Sequence, residues 1–201
     1  MTRLVLATRN AGKIVEFRRI LADARVPIDL VGLEAFPEIG EVAETGLTFA
    51  ENALLKAHTV AKESGLPAVA DDSGLCVDAL NGMPGIFSAR WSGGHGDDQA
   101  NLALLLAQLT DVPDNRRQAH FTCTAALALP SGEERVVDGI MTGTLIREPR
   151  GTNGFGYDPI FVADGETRTT GEMPAAEKDA ISHRGKSFRA LIPVIIEVLG
   201  T

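Results

Sequence analysis

The stretch Leu66-Pro67-Ala68-Val69-Ala70-Asp71-Asp72-Ser73-Gly74 sets two adjacent carboxylates directly after a short apolar run. A run of this kind fits a buried strand, with the acids at its exposed end and Gly74 letting the chain turn there. Successive strand side chains point to opposite faces. Asp71 and Asp72 are therefore expected to do different jobs, one facing a site and the other bracing a loop. Two acids at a strand end suit a hard divalent cation such as Mg2+, which takes carboxylate and water oxygens. A plain turn is the competing reading, because Asp, Ser and Gly are all common turn residues.

The surrounding chain alternates strands and helices. Residues 3–7 read as a buried strand, and a polar loop, Thr8-Arg9-Asn10-Ala11-Gly12-Lys13, follows. Next comes a helix with Ile14, Phe17, Leu21 and Ala24 on one face, then a second strand over residues 28–31. Residues 32–45 are acidic and irregular, with Glu34, Glu38, Glu41 and Glu44. Thr48 and Glu51 have the spacing of a capping box and open a long helix. Its core stripe is Phe49, Ala53, Ala57 and Val60, while Asn52, Lys56 and Thr59 share another face. Residues 75–80 read as a further short strand, and Asp97 or Asp98 caps a helix carrying Leu102, Leu105, Leu106 and Leu109. Residues 120–129 alternate as a long strand, Pro130-Ser131-Gly132 turns the chain, and residues 134–146 return. A brief strand at 160–162 and one or two helical turns at 175–182 precede a closing helix, which Pro193 kinks or restarts. This order gives a mixed α/β fold with a largely β middle. Ligands of such open sheets sit in a crevice at strand ends.

The chain has 201 residues, and we read residues 1–201 as a single domain with room for a small second lobe. A hydrophobic content of 44% fills a core, and with few aromatic residues that core is largely Leu, Val, Ile and Ala. A formal charge of −8 disfavours binding to a nucleic acid backbone. Cys76 and Cys123 form no CxxC pair, which argues against a disulfide framework or zinc motif and fits a reducing cytoplasm. There is no signal-peptide pattern. No apolar stretch approaches the roughly 20 residues that a membrane span needs.

Three further stretches bear on chemistry. A loop between a strand and a helix presents free N–H groups and the positive end of the helix dipole, which suits phosphate. Thr8 adds a hydroxyl, Asn10 an amide and Lys13 a charge, although the Walker pattern is absent. An ordinary strand–helix connection is the alternative. In Gly151-Thr152-Asn153-Gly154-Phe155-Gly156-Tyr157-Asp158-Pro159, glycines flank two aromatic residues. That loop either offers a face on which a base stacks, with Asp158 accepting from a ring N–H, or buries its aromatics. Finally, Lys178, His183, Arg184 and Lys186 gather cationic groups near a helix start, as an anion site or as a solvated surface. No spacing argues for a covalent nucleophile.

Six motifs, taken together and in order, resemble the inosine triphosphate pyrophosphatase family along the whole chain. They are Thr8-Arg9-Asn10-Ala11-Gly12-Lys13, the run from Glu44 to Ala53, Ala70-Asp71-Asp72-Ser73-Gly74-Leu75, Pro84-Gly85-Ile86-Phe87-Ser88-Ala89-Arg90, Gly154-Phe155-Gly156-Tyr157-Asp158-Pro159 and Ser182-His183-Arg184-Gly185. Arg9 departs from the pattern, since many bacterial members have glycine there; it narrows the phosphate loop or adds a positive charge. The resemblance implies a mixed twisted central sheet flanked by helices, in two lobes with the active-site cleft between them. It also implies a cytoplasmic, Mg2+-dependent homodimer that hydrolyses dITP, ITP and XTP to monophosphate and pyrophosphate and so cleanses the nucleotide pool, with no nucleic acid or membrane partner. By position, Thr8, Arg9, Asn10, Ala11, Gly12, Lys13 and Lys56 would hold phosphates. Glu44 and Asp72 would bind the metal, and Asp72 would also activate water. Ser73 would touch the substrate, and Phe155, Gly156, Tyr157, Asp158, Lys178, His183 and Arg184 would frame the base. Two other readings remain: a pyrophosphatase of modified pyrimidine nucleotides, and a nucleotide-binding regulator without turnover.

Overall fold

The computed structural model describes residues 2–200. Strands β1 (Thr2–Leu6), β2 (Ile28–Gly32), β3 (Ala68–Val77), β4 (Gln118–Ala128), β5 (Glu134–Leu145) and β6 (Phe161–Ala163) hydrogen-bond in the order β2-β1-β3-β4-β5-β6. β1 runs parallel to β2 and β3, and β6 runs antiparallel to β5, so the sheet is mixed. The helices are α1 (Ala11–Asp23), α2 (Phe49–Ser64), α3 (Asp98–Gln108), α4 (Ala175–Ile181) and α5 (His183–Leu199).

The chain divides into two compact units. The first takes the residues up to Asp72, Cys123–Gly139 and the chain from Arg184 onward. Strand alternation sends Leu4 and Leu6 into one core with Ile14, Phe17, Ile20 and Leu21 of α1 and Phe188 and Leu191 of α5, where Phe17 stacks on Phe188 at 4.4 Å. Val5 points the other way, into a core with Ala53, Ala57 and Val60 of α2. The small residues on α2 allow close packing on the strands, and Phe49 of the expected stripe is only half-buried. Thr48 caps α2 by accepting from Glu51 N at 3.1 Å, and Gly65 ends it in a left-handed conformation. The reciprocal arm differs from a standard capping box: the Glu51 carboxylate accepts from Leu47 N rather than from the cap itself.

The second unit comprises Ser73–Thr122 and Ile140–His183. Its core joins Leu75 and Val77 to Leu105 and Leu109 of α3 and to Phe121, Tyr157, Ile160 and Phe161. Asp97 is the residue that caps α3, accepting from Ala100 N. Arg117 is buried here and donates to the carbonyls of Leu109, Leu145 and Ile146, tying three backbone segments together without a carboxylate.

One sequence reading is corrected, and one of two alternatives is removed. The acids do not end a strand, and Gly74 makes no turn. β3 runs unbroken for 10 residues through Asp71, Asp72, Ser73 and Gly74, joining what read as two separate strands. Partners for both acids, described below, make extended backbone tolerable there. Pro193 also sits inside one continuous α5 rather than restarting it. It lies on the exposed face, where the helix bond it cannot make costs least.

Candidate active site

In the first unit, neighbouring positions of β3 send their acids to opposite faces. Asp71 is 5% exposed and meets the Lys13 ammonium with both oxygens, at 2.9 and 2.8 Å. Arg184 Nε lies 3.4 Å from the same carboxylate, and Arg184 also pairs with Glu16 at 3.9 Å. Burial alone would raise the Asp71 pKa, but the charges of Lys13 and Arg184 outweigh it and hold the carboxyl well below the usual range. Burial opposes the Arg184 charge too, and Asp71 and Glu16 help to turn the balance upward. The Cys123 thiol points at Asp71 across 3.9 Å, and Ser187 Oγ donates to its sulfur at 3.2 Å. Burial first, and Asp71 second, push that thiol up to about 12, so it stays protonated.

Asp72 faces α2. One of its oxygens accepts from Asn52 Nδ2 at 3.1 Å, and the other lies 3.5 Å from Lys56 Nζ. Glu44 Oε1 approaches the same ammonium to 2.8 Å. Asn52 and Lys56 reach Asp72 together because they lie four residues apart on one face of α2. Asn52 is fully buried and also accepts from Gly46 N at 2.8 Å, which fixes the end of the acidic loop. A Cβ at Gly46 would lie 2.8 Å from that amide oxygen, so only glycine lets the loop come so close. Burial raises the Asp72 pKa; Lys56 draws it down, Glu44 pushes it up, and the balance is upward. For Lys56, burial opposes the charge, but Asp72 and Glu44 together hold it on.

The fit to a divalent cation follows from this imbalance. Two half-buried carboxylates converge on one ammonium, so negative charge is in excess, and the oxygen donors are of the hard type that Mg2+ takes. Among the described residues, no three His, Cys, Asp or Glu side chains group closely enough to hold a metal alone. Mg2+ needs no such cage, since it keeps waters and takes one or two carboxylates together with substrate phosphates.

The first loop caps its own backbone. Asn10 is the N-cap of α1 and accepts from Gly12 N and Lys13 N, and Thr8 Oγ1 accepts from Asn10 N. Both polar side chains thus shape the loop. Ala11 and Gly12 form the exposed first turn of α1. Arg9 turns back instead, its guanidinium donating to Leu33 O at 3.2 Å and to Ile39 O at 2.7 Å.

In the second unit the aromatic loop divides its two rings. Tyr157 is 4% exposed and donates its hydroxyl to Ser88 O, while Phe155 is 63% exposed. Lys178 Nζ stands 5.1 Å from the Phe155 ring centroid and pairs with Asp158. The buried Asp158 carboxylate also accepts from Phe155 N and Thr170 Oγ1, so it holds the loop from inside. Gly154, at φ 74°, is required here because a Cβ would lie 2.0 Å from Asp158 Oδ2. Gly156 N donates to Asp98. His183 is buried with its ring stacked on Phe121 at 4.9 Å, and Ser73 is half-buried on β3.

Within the first unit the structure therefore groups Lys13 and Arg184 around Asp71, and Glu44 and Lys56 around Asp72 with Asn52 beside them, on two successive residues of β3. Phe155, Asp158 and Lys178 form a second cluster within the second unit. Sequence reasoning did not count Asn52 among the site residues. Its four-residue spacing from Lys56 was the available signal.

The model of the Ham1 family matches residues 4–194. A protein named dITP/XTP pyrophosphatase from Streptomyces coelicolor is 70% identical over 200 residues, covering 100% of each chain. One of the same name from Frankia alni is 60% identical, covering 98% of each. Among solved structures, a HAM1 protein from Coxiella burnetii is 41% identical with a TM-score of 0.91, covering 98% of this chain and 100% of that one. A nucleoside-triphosphatase, dITP/XTP pyrophosphatase, from Mycobacterium abscessus is 54% identical with a TM-score of 0.82, covering 96% and 100%.

Proposed function

Because the chain belongs to the Ham1 family, we propose that it hydrolyses dITP, ITP and XTP to the monophosphate and pyrophosphate. The observation that carries this reading is the convergence of Glu44 and Asp72 on Lys56, with Lys13 held close by at Asp71. A triphosphate brings several negative charges, which must be neutralised before a nucleophile approaches. Lys13 and Lys56 supply part of that neutralisation. Glu44 and Asp72 would hold Mg2+, which, when bound, neutralises phosphate charge and polarises the phosphoryl oxygens.

Asp72 then orients and deprotonates the attacking water. A base must hold a pKa near its task, and burial together with Glu44 moves Asp72 upward from the ordinary aspartate range. Asn52 holds Asp72 in place by donating to its Oδ2. The exposed Phe155 ring offers a stacking face for the base, and Lys178 holds that loop through Asp158. Selection acts at the purine 6-position, where inosine and xanthosine carry a carbonyl and adenosine an amino group. Donors from His183, Arg184 or backbone N–H groups pair with the carbonyl. Against an amino group they stay unmet, at about 1–3 kcal/mol each.

The reading extends to a homodimer acting in the cytoplasm on free nucleotides, without nucleic acid or membrane partners, and so to cleansing of the nucleotide pool. Among the described residues, no helix is long and apolar enough to cross a membrane. Pyrophosphate release across ITP, dITP, XTP, ATP, GTP and dUTP, with and without Mg2+, tests the proposal. Release from ITP and XTP that far exceeds release from ATP, and that needs the metal, supports it. Equal rates on ATP, preference for dUTP, or binding of ITP without turnover each contradicts it.

A further inference from the structure

Arg9 stands in the loop that carries Lys13, yet its guanidinium points away toward residues 33–39. There it donates to Leu33 O at 3.2 Å and to Ile39 O at 2.7 Å. A third bond, from Leu33 N to Thr8 O at 3.1 Å, joins the two segments through the backbone. Downstream, the acidic loop is fixed again where Glu44 meets Lys56 and where Gly46 N meets Asn52. The Arg9 fork thus anchors the upstream end of the segment whose downstream end presents Glu44.

We propose that Arg9 is a positioning residue that clamps the 33–46 segment to the first loop and so sets where Glu44 is held beside Asp72; this rests on the function proposed above. Arg9 acts on the metal-binding acid through the backbone and leaves the phosphates to Lys13 and Lys56. The expected size follows from loop length. With Ile39 anchored, the 6 residues 40–45 lie between it and Gly46; with every anchor lost, the 13 residues 33–45 would lie between Gly32 and Gly46, an upper limit because Leu33 and Ile39 are also buried in the core. Closure entropy scales so that doubling a flexible loop makes closure about threefold less favourable. Arg is suited to this task because its planar fork reaches two acceptors at once, which an ammonium does not.

The test uses the full chain with Arg9→Met and Arg9→Lys. Hydrogen exchange of the amides at 40–46 should rise, by up to about threefold, in Arg9→Met, with α1 unchanged. Half-saturating Mn2+, measured on the nucleotide-free protein by the electron spin resonance of free Mn2+, should rise by a similar factor. Arg9→Lys should recover part of both effects. In pyrophosphate release from ITP, the Arg9→Met variant should need more Mg2+ while KM at saturating metal stays within twofold. Exchange and Mn2+ affinity both unchanged would overturn the proposal. So would a raised KM at saturating metal with unchanged exchange, which would make Arg9 a phosphate ligand. A parent protein that releases no pyrophosphate from ITP would refute the activity instead, while the exchange measurement would still decide the clamp.

Discussion

Replacing Lys13 with alanine removes the cation that engages both oxygens of Asp71, a side chain only 3% exposed. Arg184 at 3.4 Å and the Cys123 thiol at 3.9 Å would then stay beside that carboxylate. Removing one partner of a buried ion pair costs about 3–5 kcal/mol, because the other charge is left without compensation. The Lys13 side chain is itself 22% exposed, so water relaxes part of the loss and the lower end of the range applies. For a chain of this size, about 3 kcal/mol corresponds to a fall in Tm of about 6–12 °C. Thermal unfolding of Lys13→Ala, Asp71→Asn and the double variant reads this directly. The double variant should lose less than the sum of the singles, by about 0.5–3 kcal/mol, since no anion is then stranded. The pH dependence has a definite sign. The Asp71 pKa is depressed in the folded state, so its stabilising contribution is present above the ordinary aspartate pKa and is lost as pH falls below it. The gap in stability between parent and Lys13→Ala should therefore hold steady from pH 8 to pH 5 and shrink only below about pH 4. Strict additivity of the two substitutions, or a gap that closes near neutrality, would refute the pairing. Lys13→Ala should also weaken ITP binding, and equal affinity in variant and parent would remove Lys13 from phosphate binding.

Two other outcomes follow from neighbouring groups. Asn52→Ala strips Asp72 and Gly46 N of a partner each, so unfolding should show a loss of about 1–3 kcal/mol and kcat for ITP should fall more than KM changes; a parent-like kcat would deny Asn52 any part in holding Asp72. Burial raises the pKa of both Cys76 and Cys123, which keeps them as thiols, so alkylation at pH 8–9 should be slow in the native protein and fast in urea; rapid native labelling of Cys123 would contradict its place beside Asp71.

Helices α1, α2 and α3, the β4–β5 return and the closing helix were all legible, because each rests on a local signal: apolar periodicity, a capping residue or a turn sequence. β3 was not. Asp, Ser and Gly carry turn chemistry, and what keeps them extended here comes from far along the chain. Lys13 and Arg184 answer Asp71, and Asn52 and Lys56 answer Asp72. The alternation argument for the two acids survived the loss of the turn, since it depends only on strand geometry. Within α2, the grouping of Asn52, Lys56 and Thr59 was readable, but their roles differ: Thr59 Oγ1 bonds its own helix at Leu55 O and takes no part with the acids. Nothing local tells which of Phe155 and Tyr157 turns inward; that depends on Ser88 accepting from the tyrosine hydroxyl. For Arg9 the resemblance left a narrowed loop or an added charge open; sequence shows its neighbours and not the carbonyls of Leu33 and Ile39 that it meets.

The central claim is that Asp72 activates the water that attacks the triphosphate. Asparagine keeps the shape of this side chain and removes its charge, so Asp72→Asn should fold as the parent does, with an unchanged far-ultraviolet spectrum. A general base contributes about 10²–10⁴-fold. Pyrophosphate release from ITP at saturating Mg2+ should therefore fall by at least about a hundredfold in Asp72→Asn while the protein stays folded; a rate within twofold of the parent would contradict the account.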